Sequence, residues 1–120
     1  MLNVNLDTKT GIAVIEPIGQ LKKEDFINAS KLIDPYIEKN GKLNGIIIHT
    51  KSFPGWDSFC AMVKHMEFVK DHHKKVTHVA MVTDSKIGSA AEHIAGHFVK
   101  AEVKHFPFNE MNEAKTWIAS

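Results

Sequence analysis

Asn44-Gly45-Ile46-Ile47-Ile48-His49-Thr50-Lys51-Ser52-Phe53-Pro54-Gly55-Trp56-Asp57 decides how this chain reads. Three consecutive β-branched residues suit a strand covered on both faces, the pattern of a central parallel strand. The polar piece after it, with Pro54 and Gly55, has to turn. Asp57 or Ser58 then caps a helix whose Phe59, Met62, Val63 and Met66 fall on one stripe. In an open α/β sheet, ligands sit in the crevice beyond the carboxyl ends of the strands. A site is therefore expected around this loop.

Outward from that centre, Leu2 to Leu6 alternates apolar and polar and reads as a half-exposed strand. Asp7-Thr8-Lys9-Thr10-Gly11 is a turn, and Ile12 to Ile15 completes an antiparallel hairpin ended by Pro17 and Gly19. Lys22 to Asn40 has helical spacing, with Phe26, Ala29, Ile33 and Ile37 on one face and Gly41 at the stop position. Pro35 interrupts it: either the helix kinks there, or Asp34 caps a short second segment with Pro35 at its first position.

After the helix expected from about Asp57 to His72, Val76 to Val82 reads as the next strand, continuous enough for an interior place. Thr83-Asp84-Ser85 starts another helix, reaching about Val99 through Ile87, Ala91, Ile94 and Phe98. Glu102 to Phe106 is a short polar strand, suited to an edge. Asn109 caps a last helix carrying Met111, Ala114, Ile118 and Trp117. The expected fold class is α/β, a single domain over 1–120 in the order ββαβαβαβα. It has one mixed, mostly parallel five-stranded sheet and four main helices, and only the first strand runs antiparallel.

Composition narrows the function classes. The chain has 120 residues, a length that buries roughly two-thirds of its unfolded surface. Its formal net charge is +1 and every basic residue is lysine, with Lys22-Lys23 and Lys74-Lys75 the only doublets. Without arginine or a basic stripe, a nucleic-acid partner is not expected. Cys60 is the sole cysteine, so no intrachain disulfide forms. No signal, membrane span or lipidation motif is visible, and a cytoplasmic location is the expectation.

Phe53-x-Gly55-Trp56, Val79-Ala80-Met81-Val82-Thr83-Asp84, Val103-Lys104-His105-Phe106 and Glu113-Ala114-x-x-Trp117-Ile118, in this element order, resemble the SpoIIAA-like family of small bacterial proteins. That family is similar in fold to STAS domains and to CRAL-TRIO lipid-carrying domains. The resemblance implies a β-α superhelix and a non-enzymatic protein that binds an apolar ligand or associates with membrane, with helices beside the Gly-Trp loop able to open and close. STAS antagonists of anti-sigma factors carry a phosphorylated Asp-Ser-Ser/Thr-Gly turn at the start of their second helix. This chain has Gly55-Trp56-Asp57-Ser58-Phe59 there, so Ser58 keeps the hydroxyl without its flanking pattern.

The candidate ligand-binding residues are His49, Phe53, Gly55, Trp56, Asp57, Phe59, Met62, Val63 and Met66. An aromatic loop leading into a methionine-rich helix makes a deformable apolar wall. Helical spacing equally places Phe59, Met62, Val63 and Met66 on a core face, whereas no periodicity puts Trp56 in the core. His49 ends the central strand, where functional groups gather.

Other chemistry finds less support. His93 and His97 share a helix face but lack a spaced third ligand, and His72-His73 sits in a lysine-rich connector, so no metal is expected. His49, Asp57, Ser58 and Cys60 lack a nucleophile elbow, and no catalytic residue and no cofactor is expected. The leading reading is a non-enzymatic module for an apolar or amphipathic, lipid-like molecule, with weak peripheral membrane contact. Self-association into a homodimer is left open. The alternative is a protein-interaction switch phosphorylated at Ser58, where a helix N-terminus favours negative charge.

Overall fold

Hydrogen-bonded neighbours follow chain order across one five-stranded sheet: β1 (Leu2–Asp7), β2 (Ile12–Pro17), β3 (Gly45–His49), β4 (His78–Val82) and β5 (Glu102–Phe106). The computed structural model describes residues 2–19, 22–51, 76–84 and 102–119. β1 pairs antiparallel with β2, and every other pairing is parallel, as the order of apolar runs predicts. The helices expected over Asp57–His72 and from Ser85 to Val99 lie outside the described residues.

The Ile-rich strand is the middle one. Ile46, Ile47 and Ile48 are all buried, because a sheet covered on both faces removes every side chain from water. β4 shows the same pattern from Val79 to Val82. Both edges read differently. β1 alternates half-buried and exposed residues, and β5 keeps only Phe106 buried. Polar edges of this kind discourage unwanted pairing with other chains.

Parallel register puts Ile12 beside Gly45, Ile47 beside Ala80, and Val82 beside Phe106. These residues share one face of the sheet, and Ile12, Ile47, Ala80, Val82 and Phe106 form a core cluster with Ala114 and Ile118 of helix α2 (Met111–Ala119). The opposite face, with Ala13, Ile15, Ile46, Ile48, Val79 and Met81, is equally buried. Fully burying one such aliphatic side chain contributes about 1.5–3 kcal/mol, so these two layers are the main source of stability.

Helix α1 spans Lys23–Asn40 and buries Ala29, Ile33 and Ile37, three residues of its expected stripe. The side chain of Phe26, the fourth, is outside the described set. Asp25 accepts the Lys22 N–H at 2.8 Å and so satisfies one of the donors a helix start leaves open. Gly41 closes the helix with φ 83°, its N–H bonded to the Ile37 carbonyl at 2.7 Å.

At Pro35 the reading as one helix holds, and at Asn109 the expected helix start needs correction. Pro35 lies inside one continuous helix, so Asp34 does not begin a second segment. Pro35 and Lys31, whose carbonyl it leaves without a donor, are both exposed, and water can satisfy that carbonyl. α2 begins one residue later than an Asn109 cap requires. Glu110 supplies the first carbonyl, accepting the Ala114 N–H at 3.1 Å, while its own N–H bonds the Pro107 carbonyl at 2.9 Å. A tight Pro107–Glu110 turn thus feeds the helix.

Candidate functional site

The parallel strands end together at one rim: β2 in Glu16-Pro17, β3 in His49, β4 in Val82 and β5 in Phe106. Because Ile15 pairs with Ile48, the next residues, Glu16 and His49, come side by side, and the period of two turns both toward the α2 face. His49 Nδ1 lies 3.1 Å from Glu16 Oε2. The imidazole is also stacked flat on Phe108, with centroids 4.4 Å apart and planes 4° from parallel. The His49 side chain is 19% exposed and that of Glu16 46% exposed. A carboxylate offers no hydrogen, so in the neutral imidazole the Nδ1 atom carries it and Glu16 accepts.

Phe108 is itself held in place. Its N–H donates to Asp84 Oδ1 at 3.0 Å. The ladder continues past the strand ends. Thr50 N–H bonds the Val82 carbonyl at 3.1 Å, Thr83 N–H the Phe106 carbonyl at 2.9 Å, and Asp84 N–H the Lys51 carbonyl at 3.1 Å. Thr83, fully buried, also directs its hydroxyl to the Lys51 carbonyl at 3.4 Å. On the opposite face His105 Nε2 donates to the Thr83 carbonyl at 2.8 Å. These bonds pin the backbone at Thr50 and Lys51, where the chain leaves β3.

Of the residues proposed from the sequence, His49 is where the reading put it. Phe53, Gly55, Trp56, Asp57, Ser58, Phe59, Met62, Val63 and Met66 lie outside the described residues, as does Cys60. Sequence reasoning missed Glu16 and Phe108. The available signals were a lone carboxylate near the end of an otherwise apolar strand, and an aromatic residue just after the strand that ends at the same rim.

A second polar cluster sits at the opposite, amino end of the sheet. Thr77 donates its hydroxyl to the Asn44 carbonyl at 2.6 Å. His78 Nδ1 is 3.2 Å from that carbonyl, and its Nε2 is 3.7 Å from Glu102 Oε2. The ring meets Trp117 edge-on at 4.9 Å and 86°. His78 thus ties β3, β4, β5 and α2 together, which is a structural role.

Two grooves flank α2. One, of about 490 Å³, is floored by Phe106 and Trp117 with the Lys104 ammonium over both rings at 5.1 and 6.0 Å. The other, of about 450 Å³, runs between α2 and the β1–β2 hairpin. Neither contains His49 or Glu16 among its described lining residues.

Among the described residues, no group of three His, Cys, Asp or Glu side chains is arranged to hold a metal ion. His72, His73, His93 and His97 lie outside them. No helix among the described residues is long and apolar enough to cross a membrane.

Comparison with known proteins adds one positive finding. The family model described as SpoIIAA-like matches residues 12–119, from the start of β2 to the end of α2. No curated protein and no solved structure matches the chain.

Proposed function

The chain belongs to the SpoIIAA-like family, and from that premise we propose a non-enzymatic binding module for an apolar or amphipathic, lipid-like molecule at the carboxyl rim of the sheet. The observation that carries the reading is the His49–Glu16–Phe108 cluster, polar and aromatic at once, set at the rim of an otherwise apolar sheet. An amphiphile needs such a pairing: an apolar wall for the chain and a few fixed polar atoms for the head. In this reading the apolar wall comes from Phe53, Trp56, Phe59, Met62, Val63 and Met66. Gly55 and Asp57 complete the candidate set. Membrane contact is peripheral and weak, since a formal net charge of +1 provides little attraction to anionic lipid.

The test has two arms. Solvent extraction and mass spectrometry of the purified protein should release a co-purifying amphiphile. In a Trp117→Phe variant, which leaves Trp56 as the sole tryptophan, emission should shift to the blue on addition of phosphatidylcholine–phosphatidylglycerol vesicles. No extracted amphiphile and no shift would remove the proposal.

A further inference from the structure

We infer, on the reading that the carboxyl rim is the binding site, that Nε2 of His49 is the acceptor for the hydroxyl of a neutral amphiphile, an alcohol or glycerol-type headgroup. With the Nδ1 hydrogen committed to Glu16 at 3.1 Å, the neutral ring carries its lone pair on Nε2. Among the described residues that atom has no hydrogen-bond partner. The ring cannot swing freely to find one, because Phe108 covers its face at 4.4 Å and Glu16 holds its edge. An acceptor fixed in direction before the ligand arrives loses little entropy on binding.

Charge selects among headgroups. Glu16 lies against one side of the ring, and Asp84 lies beside the stacked Phe108 through its N–H at 3.0 Å. An anionic head would meet the Nε2 lone pair, with the Glu16 carboxylate across the ring. The nearest cation along the chain, Lys51, is exposed, where water screens it. A hydroxyl brings a hydrogen to Nε2 and adds no charge. Glu16 acts as a positioning residue, fixing which nitrogen accepts.

Calorimetric titration of the full chain with four probes sharing a decyl chain separates the possibilities: decan-1-ol, decyl methyl ether, decanoate and decyltrimethylammonium. The alcohol should bind roughly tenfold more tightly than its methyl ether, the size of one neutral hydrogen bond. His49→Phe keeps a ring against Phe108 and should erase that preference, bringing the alcohol and ether affinities together. Glu16→Gln can donate to Nδ1 as well as accept from it. In ¹⁵N spectra of the neutral imidazole it should raise the Nε2–H form, absent in the wild type, and the alcohol preference should fall with it.

Equal affinity for alcohol and ether, or tighter binding of decanoate or the ammonium, overturns the inference and leaves the binding site standing. An alcohol preference that survives His49→Phe does the same. If no probe binds the wild type, the inference and the reading it rests on both fall.

Discussion

Gly45→Ala is the sharpest test of how α2 lies on the sheet. A Cβ at Gly45 would meet Ile118 Cγ2 at 2.6 Å, Cδ1 at 2.7 Å and Cγ1 at 3.0 Å. Carbon atoms prefer about 3.5–4.0 Å, so the helix or the side chain would have to retreat by roughly 1 Å. Ile118 is 4% exposed and packed in the cluster with Ile47 and Ala80, and its β-branch stiffens it. Overpacking of this kind costs about 1–3 kcal/mol. The backbone adds nothing to that, because Gly45 is not among the glycines with positive φ.

The double mutant supplies the control. Ile118→Ala alone should cost about 2–5 kcal/mol through lost burial and the space left behind. In that background the new Cβ enters the vacated space. Gly45→Ala should then become neutral, or stabilise by about 0.4–1 kcal/mol by restricting the unfolded chain. Urea unfolding of the four proteins, read as midpoint and slope, gives the coupling. A Gly45→Ala cost as large in the Ile118→Ala background as in the wild type would refute the close approach as its source.

Asp7 accepts the Lys9 N–H at 2.9 Å and the Thr10 N–H at 3.4 Å, and these backbone donors hold its carboxyl below the ordinary value of 3.8. A lowered folded-state value means the stabilisation is present above pH 3.8 and fades as pH falls further, so the stability gap between wild type and Asp7→Asn should close there. Urea midpoints against pH check this, and a gap that persists in acid counts against it. Pro35→Ala in exposed mid-α1 should raise stability by about 1–2 kcal/mol, since the restored hydrogen bond outweighs the greater freedom of the unfolded chain. A fall in the thermal midpoint would show that Pro35 is favoured where it stands.

The strands and their sense were legible because each rule needed only neighbours. Leu2, Val4 and Leu6 alternate with polar residues, Ile46 to Ile48 run without a break, and Gly41 sits one step past an apolar helical stripe. What stayed open or went wrong was local as well. At Pro35 propensity left a second segment open beside the single helix, because it weighs a residue alone, whereas Ala29, Ile33 and Ile37 packed in the core hold one helix together across it. The α2 start moved from Asn109 to Glu110 because the Pro107 carbonyl had already bound the Glu110 N–H in a preceding turn.

The candidate site divides the same way. His49 at the end of an Ile-rich strand is a one-dimensional fact, and the sequence alone determined it along with the order of strands and the buried centre. Glu16 is 33 residues from His49 in the chain and becomes its neighbour only through the parallel register that pairs Ile15 with Ile48. Phe108 reaches the same ring because Asp84, beyond the next strand, binds its N–H. Apolar patterning reports which residues leave water, and it is blind to which strands lie adjacent and in what register. Only the tertiary structure decided that a histidine, a carboxylate and a phenyl ring would share one rim.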